Sequence, residues 1–505
     1  MLVQLSLVFI IVWLLVLRWE RRRMIQLASK FGSPNLWQLP VIGHSYVFIG
    51  SDEDRMTAFQ KLGRKTNNTK EGIISFWQGH KLYLSVSDPK SAEFILKNCL
   101  EKDDIMKISR LTTGNGTVFA PVKIWRPRRK VLAPTFSPKN LLEFAKIFSR
   151  QSDIMVEQLK PVAHSKDVSI WNFVNTYTLD SVCESTLGVS IHAQKLIEQP
   201  LLKSLEQITI LDSARMCQPW LYSDTIYKMM PAYKRHTKCR KMIFDFINEV
   251  IRAKRNLMQE EKSLLKSESE QAVRQEGVRS FLELLIESSG GDKGYTDLEL
   301  QEETVVLVVA GTDTSAVGTS FTILLLSKHL DVQEKIYQEL QEVFGDSKRP
   351  IVPEDLPRLK YLDAVIRESL RLYPPVPVIV RKVENEITLP SGETLVKGTG
   401  ILVHIWAINR NPKYWGDDAD LFRPERFIDT PLKHPAAFIS FSYGPRACLG
   451  YQYAMMSMKT AMANLLRNYQ FLPASNAGTK QPIRLRFDIM MKSVENFTVQ
   501  IKPRF

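Results

Sequence analysis

Apolar residues recur along this chain in three rhythms, and each predicts a different element. The first seventeen residues, MLVQLSLVFIIVWLLVL, are apolar apart from Gln4 and Ser6, at the short end of the about 17 to 25 residues that cross a bilayer. Arg18, Arg21, Arg22 and Arg23 follow this run, whereas a cleaved signal peptide carries its positive charge in front. Residues 1–17 are therefore expected to form a retained anchor, with the rest of the chain on the cytosolic side by the positive-inside rule. A helix buried in the core would show the same run. Residues 18–45 hold the basic stop and then Pro34, Pro40 and Gly43, which cannot continue a helix and mark a stiff hinge. Residues 46–505 are read as one unit.

Within that unit most segments repeat apolar positions with a helical period. In LDVQEKIYQELQEVFG, Asp331 and Glu334 form a candidate capping box and Gly345 a stop. The strand rhythm is confined to two places. Residues 73–87 give two β runs around Gln78 and Gly79, and residues 387–408 a second hairpin around Pro390, Ser391 and Gly392. Residues 258–278 are polar and of mixed charge, which predicts an exposed connection between helices. No repeat is evident, so the pattern predicts a mainly α fold with small β-sheets.

Composition narrows this picture. The 505 residues are 44% hydrophobic and 24% charged, suited to a sizeable core. The formal charge of +14 would attract nucleic acid, anionic lipid or an acidic protein, and no nucleic-acid motif favours the first. Five cysteines without a CxxC pair argue against a disulfide framework or a zinc cage. No phosphate-cradling loop stands in a strand-helix setting; Gly114 and Gly116 in TTGNGTVFA match only in part. Redox chemistry in this chain would thus need electrons from a separate protein.

One cysteine stands out. In FISFSYGPRACLGYQYAMMSMKTAMANLL, Cys448 lies in a Gly- and Pro-containing loop that leads straight into an amphipathic helix. A helix N-terminus favours negative charge and is expected to lower the thiol pKa. The alternative is an inert buried thiol. The run Phe441, Gly444, Arg446, Cys448 and Gly450 resembles the cytochrome P-450 signature F-x-x-G-x-R-x-C-x-G at every defined position. The resemblance implies a fold in which haem lies between a long central helix and this loop, with Cys448 as axial iron ligand. It also implies that Phe441 packs beside the sulfur, that Gly444 and Gly450 allow close approach to sulfur and ring, and that Arg446 pairs with a haem propionate.

Other segments resemble further parts of the same family. VIRESLRLYPP carries Glu368 and Arg371 three apart, and LFRPERF supplies Arg426; in the family these form a buried ion network behind the cysteine loop. Alone, such a pair is a common exposed helix contact. Trp125 and Arg129 match W-x-x-x-R, and Arg381 resembles another propionate arginine. The ordinary alternatives are surface cations and a core tryptophan. In ETVVLVVAGTDTSAVGTSFTILLL the resemblance to A-G-x-D-T implies that Ala310 and Gly311 leave room for dioxygen and that Asp313 and Thr314 relay protons. The alternative for Thr314 is a hydroxyl bonded back to the preceding turn.

Segments such as FSRQSDIMVEQLKP, QPWLYSDTIYK and RNPKYWGDDADLFRPERF resemble the arthropod branch of the microsomal family-four clan. Many family-four enzymes have a glutamate where this chain has Ala310, so no ester to the haem is expected. The resemblance implies a monooxygenase using non-covalent haem b, dioxygen, a lipophilic small molecule and an NADPH-dependent cytochrome reductase, anchored in the lipid of the endoplasmic reticulum. A haem-thiolate isomerase or dehydratase would tend to lose the Asp313 and Thr314 pair, and a binding protein for hydrophobic ligands would not need it. Substrate contacts are placed only by region: Ser109 to Phe119, near Trp220, Val306 to Thr314, Val376 to Val380, and Met490.

Overall fold

A computed structural model describes residues 4, 12, 16, 18–19, 21–196, 199–267, 280–288, 295–475 and 481–504. Most of the apolar N-terminal run, where the anchor is expected, lies outside the described residues. In chain order the main helices are α1 (Arg22–Lys30), α2 (Asp52–Asn67), α3 (Pro89–Asn98), α4 (Lys107–Thr113), α5 (Val122–Leu132), α6 (Pro138–Leu159) and α7 (Trp171–Val182). They continue with α8 (Pro200–Met216), α9 (Pro231–Ser267), α10 (Phe281–Glu287), α11 (Asp297–Lys328), α12 (Leu330–Phe344), α13 (Lys360–Leu372) and α14 (Tyr451–Asn468).

Strands are short and grouped. The hairpin β1 (Ile73–Gln78) and β2 (Lys81–Val86) pairs antiparallel from Ile73 opposite Val86 to Gln78 opposite Lys81. It is completed, in the order β1-β2-β7-β4, by β4 (Ile379–Lys382) and β7 (Gly400–Val403). β5 (Ile387–Thr388) and β6 (Thr394–Leu395) form the second predicted hairpin. A three-stranded sheet joins β3 (Val168–Ser169), β11 (Thr498–Pro503) and β8 (Tyr469–Pro473), and β9 (Leu485–Asp488) pairs with β10 (Met490–Ser493).

Three expectations change. The hairpin does not run to residue 408: β7 joins the larger sheet, and Ile405–Ile408 form a helical turn capped by the His404 side chain. Residues 258–267 are the end of α9, because the charged run keeps helix-forming residues; 268–279 lie outside the described residues. Asp331 and Glu334 do not cap α12, which starts at Leu330 directly after α11, with His329 as an N-cap that makes no side-chain bond. Gly345 does end that helix, at φ 56°.

α11 organises the core. It is apolar on nearly all sides, so it is stable only when wrapped by other elements. Leu300, Val305, Val308, Ala316, Val317 and Phe321 are buried, and α7, α13 and α14 pack around it. The Thr296 and Glu299 side chains cap its start reciprocally. Among the described residues it is the one helix long and apolar enough to cross a membrane, but its apolar stretch is mostly buried inside the fold. At Gly311 a Cβ would meet Val182 at 2.8 Å, so glycine is what lets α7 and α11 touch.

Candidate active site

The cysteine loop is shaped by its backbone. The Cys448 N–H donates to the Phe441 carbonyl at 2.9 Å and the Ala447 N–H to the Gly444 carbonyl at 2.9 Å. Gly444 has φ 75°, and a Cβ there would meet the Leu96 carbonyl at 2.7 Å, so this glycine serves the turn and the contact with α3. Gly450 differs, since its Cβ direction is clear up to Phe136 at 3.8 Å. The Phe441 ring meets Tyr451 edge-on at 4.5 Å, at the start of α14.

All five cysteines are free thiols, four buried and Cys448 accessible. Burial raises the Cys448 thiol pKa, while the Gly450 N–H and Arg129 act in the opposite direction. The expected lowering therefore does not occur in the protein alone: one turn's dipole is weaker than the loss of water. A bound metal cation is what holds such a sulfur as thiolate.

Around this sulfur the chain collects cations. Trp125 is buried on α5, with the Arg446 guanidinium over its ring at 4.5 Å. Arg129 donates to the Ala447 carbonyl at 2.9 Å, tying α5 to the cysteine loop. Arg446 Nη2 donates to the Ala120 carbonyl at 2.7 Å, but Nε and Nη1 have no partner. Among the described residues Arg381, 1% exposed, bonds only the adjacent Val380 carbonyl, and its Nε has no partner. Burial, then the neighbouring Arg446 charge, pushes the Arg381 pKa down to about 10. Lys102 shares this field: burial, Arg381 and Arg446 hold its pKa well below the usual lysine value. The sequence reading missed Lys102, which no motif marks.

Behind the loop, Glu368 and Arg371 are fully buried. Arg371 Nε reaches Glu368 Oε2 at 2.6 Å and Nη2 reaches Oε1 at 2.8 Å. Its other N–H groups go to the carbonyls of Asn409 (2.8 Å), Ala419 (2.6 Å) and Leu421 (3.1 Å). Arg426 Nε stands 3.5 Å from Glu368 Oε1, and its terminal nitrogens bond the Trp415 and Asp418 carbonyls. The link to the cysteine loop is Asn409, also missed. Its amide donates to the Arg371 carbonyl at 3.1 Å and to Ser440 Oγ at 2.9 Å, and Ser440 donates to the Leu370 carbonyl at 2.8 Å.

On α11, Ala310, Gly311, Asp313 and Thr314 share successive turns, but Asp313 and Thr314 do not bond each other. The Thr314 hydroxyl donates back to the Ala310 carbonyl at 2.6 Å, as the local alternative predicts. Its oxygen lone pairs stay available as acceptors. Asp313 Oδ1 lies 3.1 Å from Lys492 Nζ on β10. Of the regions named for substrate, Lys107–Thr113 is helical, Trp220 is a surface side chain 39% exposed, and Met490 is buried at the β9–β10 junction. Arg128, beside Arg129, turns instead to α11. It pairs with Glu303 at 2.9 Å and Glu299 at 2.8 Å and holds the Asn115 carbonyl at 2.7 Å, which fastens the 115–117 loop.

An accessible thiol on a loop held by Arg129, with two buried arginines, Arg381 and Arg446, that keep N–H groups without an acceptor among the described residues, is the donor set of a haem-thiolate oxidoreductase. The sequence profile described as Cytochrome P450 matches residues 34–498. The chain is similar to Cytochrome P450 4d2 of Drosophila melanogaster, with 32% identity over 92% of this chain and 93% of that protein. It is similar to Cytochrome P450 4c21 of Blattella germanica, with 31% identity over 90% and 89%, and to Cytochrome P450 4V2 of Homo sapiens, with 29% over 96% and 91%. The chain belongs to the cytochrome P450 family, and the likeness to arthropod family-four members holds. It is a monooxygenase oxidoreductase with haem as cofactor. The residues fit that group: the unpartnered N–H groups of Arg381 and Arg446 are what two carboxylates would complete, and Gly450 leaves clear space next to the cysteine.

Proposed function

We propose that the chain oxidises a lipophilic small molecule such as a fatty acid, terpenoid, hormone-like or foreign compound, with electrons from an NADPH-dependent reductase. Cys448 would hold the iron of a haem b bound without a covalent ester, and Arg381, Arg446, Arg129 and Trp125 would hold its propionates. The observation that carries this reading is the pair of buried arginines, Arg381 and Arg446, whose Nε groups, with Nη1 of Arg446, have no acceptor among the described residues. The bound group supplies oxygen activation, with the thiolate adding electron density through the metal.

The chain's own residues then control protons and water. Thr314 Oγ, anchored to the Ala310 carbonyl, is left as an acceptor, and Asp313 is the acid that delivers protons along α11. Glu368, Arg371 and Arg426, through Asn409 and Ser440, keep the cysteine loop in register. Retention of Asp313 and Thr314 favours monooxygenation over rearrangement without a reductase.

We place residues 1–17 as a single anchor in the endoplasmic reticulum membrane, 18–45 as the basic stop and hinge, and 46–505 as one catalytic domain on the cytosolic face. A second lipid contact is supported by exposed apolar side chains: Leu36, Trp37, Leu39 and Val41, with Trp220, Ile226, Met229 and Met230. The two groups meet beside Gly79, where Pro219 and the Val41 carbonyl both approach. Lys123, Arg126 and Lys130 are exposed on α5 and suit the acidic face of a reductase.

The test is a screen for substrate-induced spin shifts, followed by NADPH consumption with reductase. Thr314→Ala is expected to keep the spectrum of the reduced carbon monoxide complex but to lower product per NADPH on the order of tenfold or more. Unchanged coupling would remove Thr314 from the relay.

A further inference from the structure

Behind Asp313 lies a line of charged groups that the oxygen-activating motif does not include. From Asp313 Oδ1 it passes to Lys492 Nζ at 3.1 Å, from Lys492 to Asp488 Oδ2 at 3.6 Å, from Asp488 Oδ2 to Arg486 Nη1 at 3.4 Å, and from Arg486 Nη2 to Glu206 Oε1 at 2.8 Å. The side chain of Asp313 is 14% exposed, those of Lys492 and Asp488 are 1% and 0%, and beyond them exposure rises to 19% at Arg486 and 36% at Glu206. The line therefore connects the centre of α11 with the surface of α8.

Its middle is incompletely bonded. Lys492 Nζ is within ion-pair reach of Asp313 but poorly aligned for a hydrogen bond, and neither Asp488 oxygen has a hydrogen-bond partner. Buried charges left this way are costly unless they serve as proton carriers or bind water. The hairpin that holds them turns at Ile489 with φ 73°, a conformation that β-branched residues avoid and that is kept where the surroundings impose it. Lys492 also sits over the Trp171 ring at 4.7 Å, so its position is fixed from a third side.

We propose that Lys492 relays protons to Asp313 from Asp488, which acts as the proton reservoir. The proposal rests on Asp313 being the acid on α11. In the step, Lys492 Nζ gives one proton to Asp313 Oδ1 and receives one from the Asp488 carboxyl. Asp313 ends protonated, Asp488 ends as carboxylate, and Lys492 remains an ammonium. The second transfer requires the flexible end of the Lys492 side chain to close the 3.6 Å separation from Asp488 Oδ2. Asp488 is recharged from solvent at the Arg486 and Glu206 edge.

The local electrostatics agree. Burial raises the Asp488 pKa to about 7, with Lys492 opposing and Asp313 adding to the rise, so this carboxyl exchanges its proton near neutrality. Burial works against the charge of Lys492, but Asp313 and Asp488 more than restore it. The charged groups facing the pair are Asp313 on α11, Arg486 on β9 and Glu206 on α8, with Asp52 on α2 acting on Arg486.

The test compares Lys492→Met, Lys492→Arg, Asp488→Asn and Asp313→Asn in the full-length holoenzyme. Two readouts are used: product per NADPH as a function of pH, and, without turnover, the pH-dependent infrared band of a protonated buried carboxyl. Lys492→Met is expected to lower coupling on the order of tenfold and to move the carboxyl band to higher pH, since the cation opposing the Asp488 pKa is gone. Lys492→Arg keeps the charge but releases no proton, so it should hold the band near its wild-type position while coupling stays low, and Asp488→Asn should delete the band. Wild-type coupling and an unmoved band in Lys492→Met would overturn the proposal. If only Asp313→Asn loses coupling, Asp313 keeps its role and Lys492 does not; if Asp313→Asn is silent, the reading of Asp313 itself fails. Should Lys492→Met not fold, Asp488→Asn decides, and an unchanged band or coupling there sinks the reservoir.

Discussion

Arg371 and Arg446 are both buried guanidinium groups, yet Arg371 has an acceptor for each of its five N–H groups while Arg446 has one acceptor, at Nη2. The first cluster includes its own counter-charge, Glu368; the second gathers Arg446, Arg381 and Lys102. An unpaired buried cation weakens a fold, whereas a satisfied one supports it. The contrast separates a cluster that holds the chain together from one that we read as completed by a ligand.

The largest effect is expected at the sulfur. Cys448→Ser should eliminate the red-shifted Soret band of the reduced carbon monoxide complex, and survival of that band would refute the ligand assignment. Next comes the complete cluster: Arg371→Met removes the two-point partner of buried Glu368, leaving it the Arg423 N–H and the Arg426 guanidinium at 3.5 Å, and should cost about 3–5 kcal/mol of stability by denaturant titration. A loss as small as that of a surface pair would erase the distinction between the clusters. Arg446→Met should do the reverse, leaving the cofactor-free protein no less stable while weakening haem retention by roughly 1.5–3 kcal/mol, read as faster transfer to a competing apoprotein. The smallest effect is on pH dependence. With its pKa raised from 3.8 to about 7, folded Asp488 keeps a proton that the unfolded chain has released, so stability should fall as pH rises through that window. Asp488→Asn should flatten the slope, measured as melting temperature against pH.

What could be read from the sequence was what lies close together in it. The cysteine loop keeps its five motif residues within ten positions, and Glu368 and Arg371 share one turn. The β1–β2 hairpin was legible for the same reason, through alternation on either side of Gly79. Lys492, Asn409 and Lys102 reach their partners only after distant elements pack, and no periodic or spacing signal marks them. Element ends were the other weak point. The start of α12 is set by the end of α11 at His329, a tertiary constraint that overrode the capping signal at Asp331. The direction of the Cys448 shift was not legible, because the helix start shows in the sequence and the packing of distant segments around the thiol does not.

Gly450 offers a way to tell a demand of folding from a demand of function. Its φ of −91° suits any residue, and a methyl group there would reach nothing closer than 3.8 Å. The polypeptide by itself therefore has no quarrel with alanine at this position. A mutational scan scored for expression should treat it as permissive, and one scored for porphyrin content should not. Gly444, wedged at 2.7 Å against the Leu96 carbonyl, should fail both.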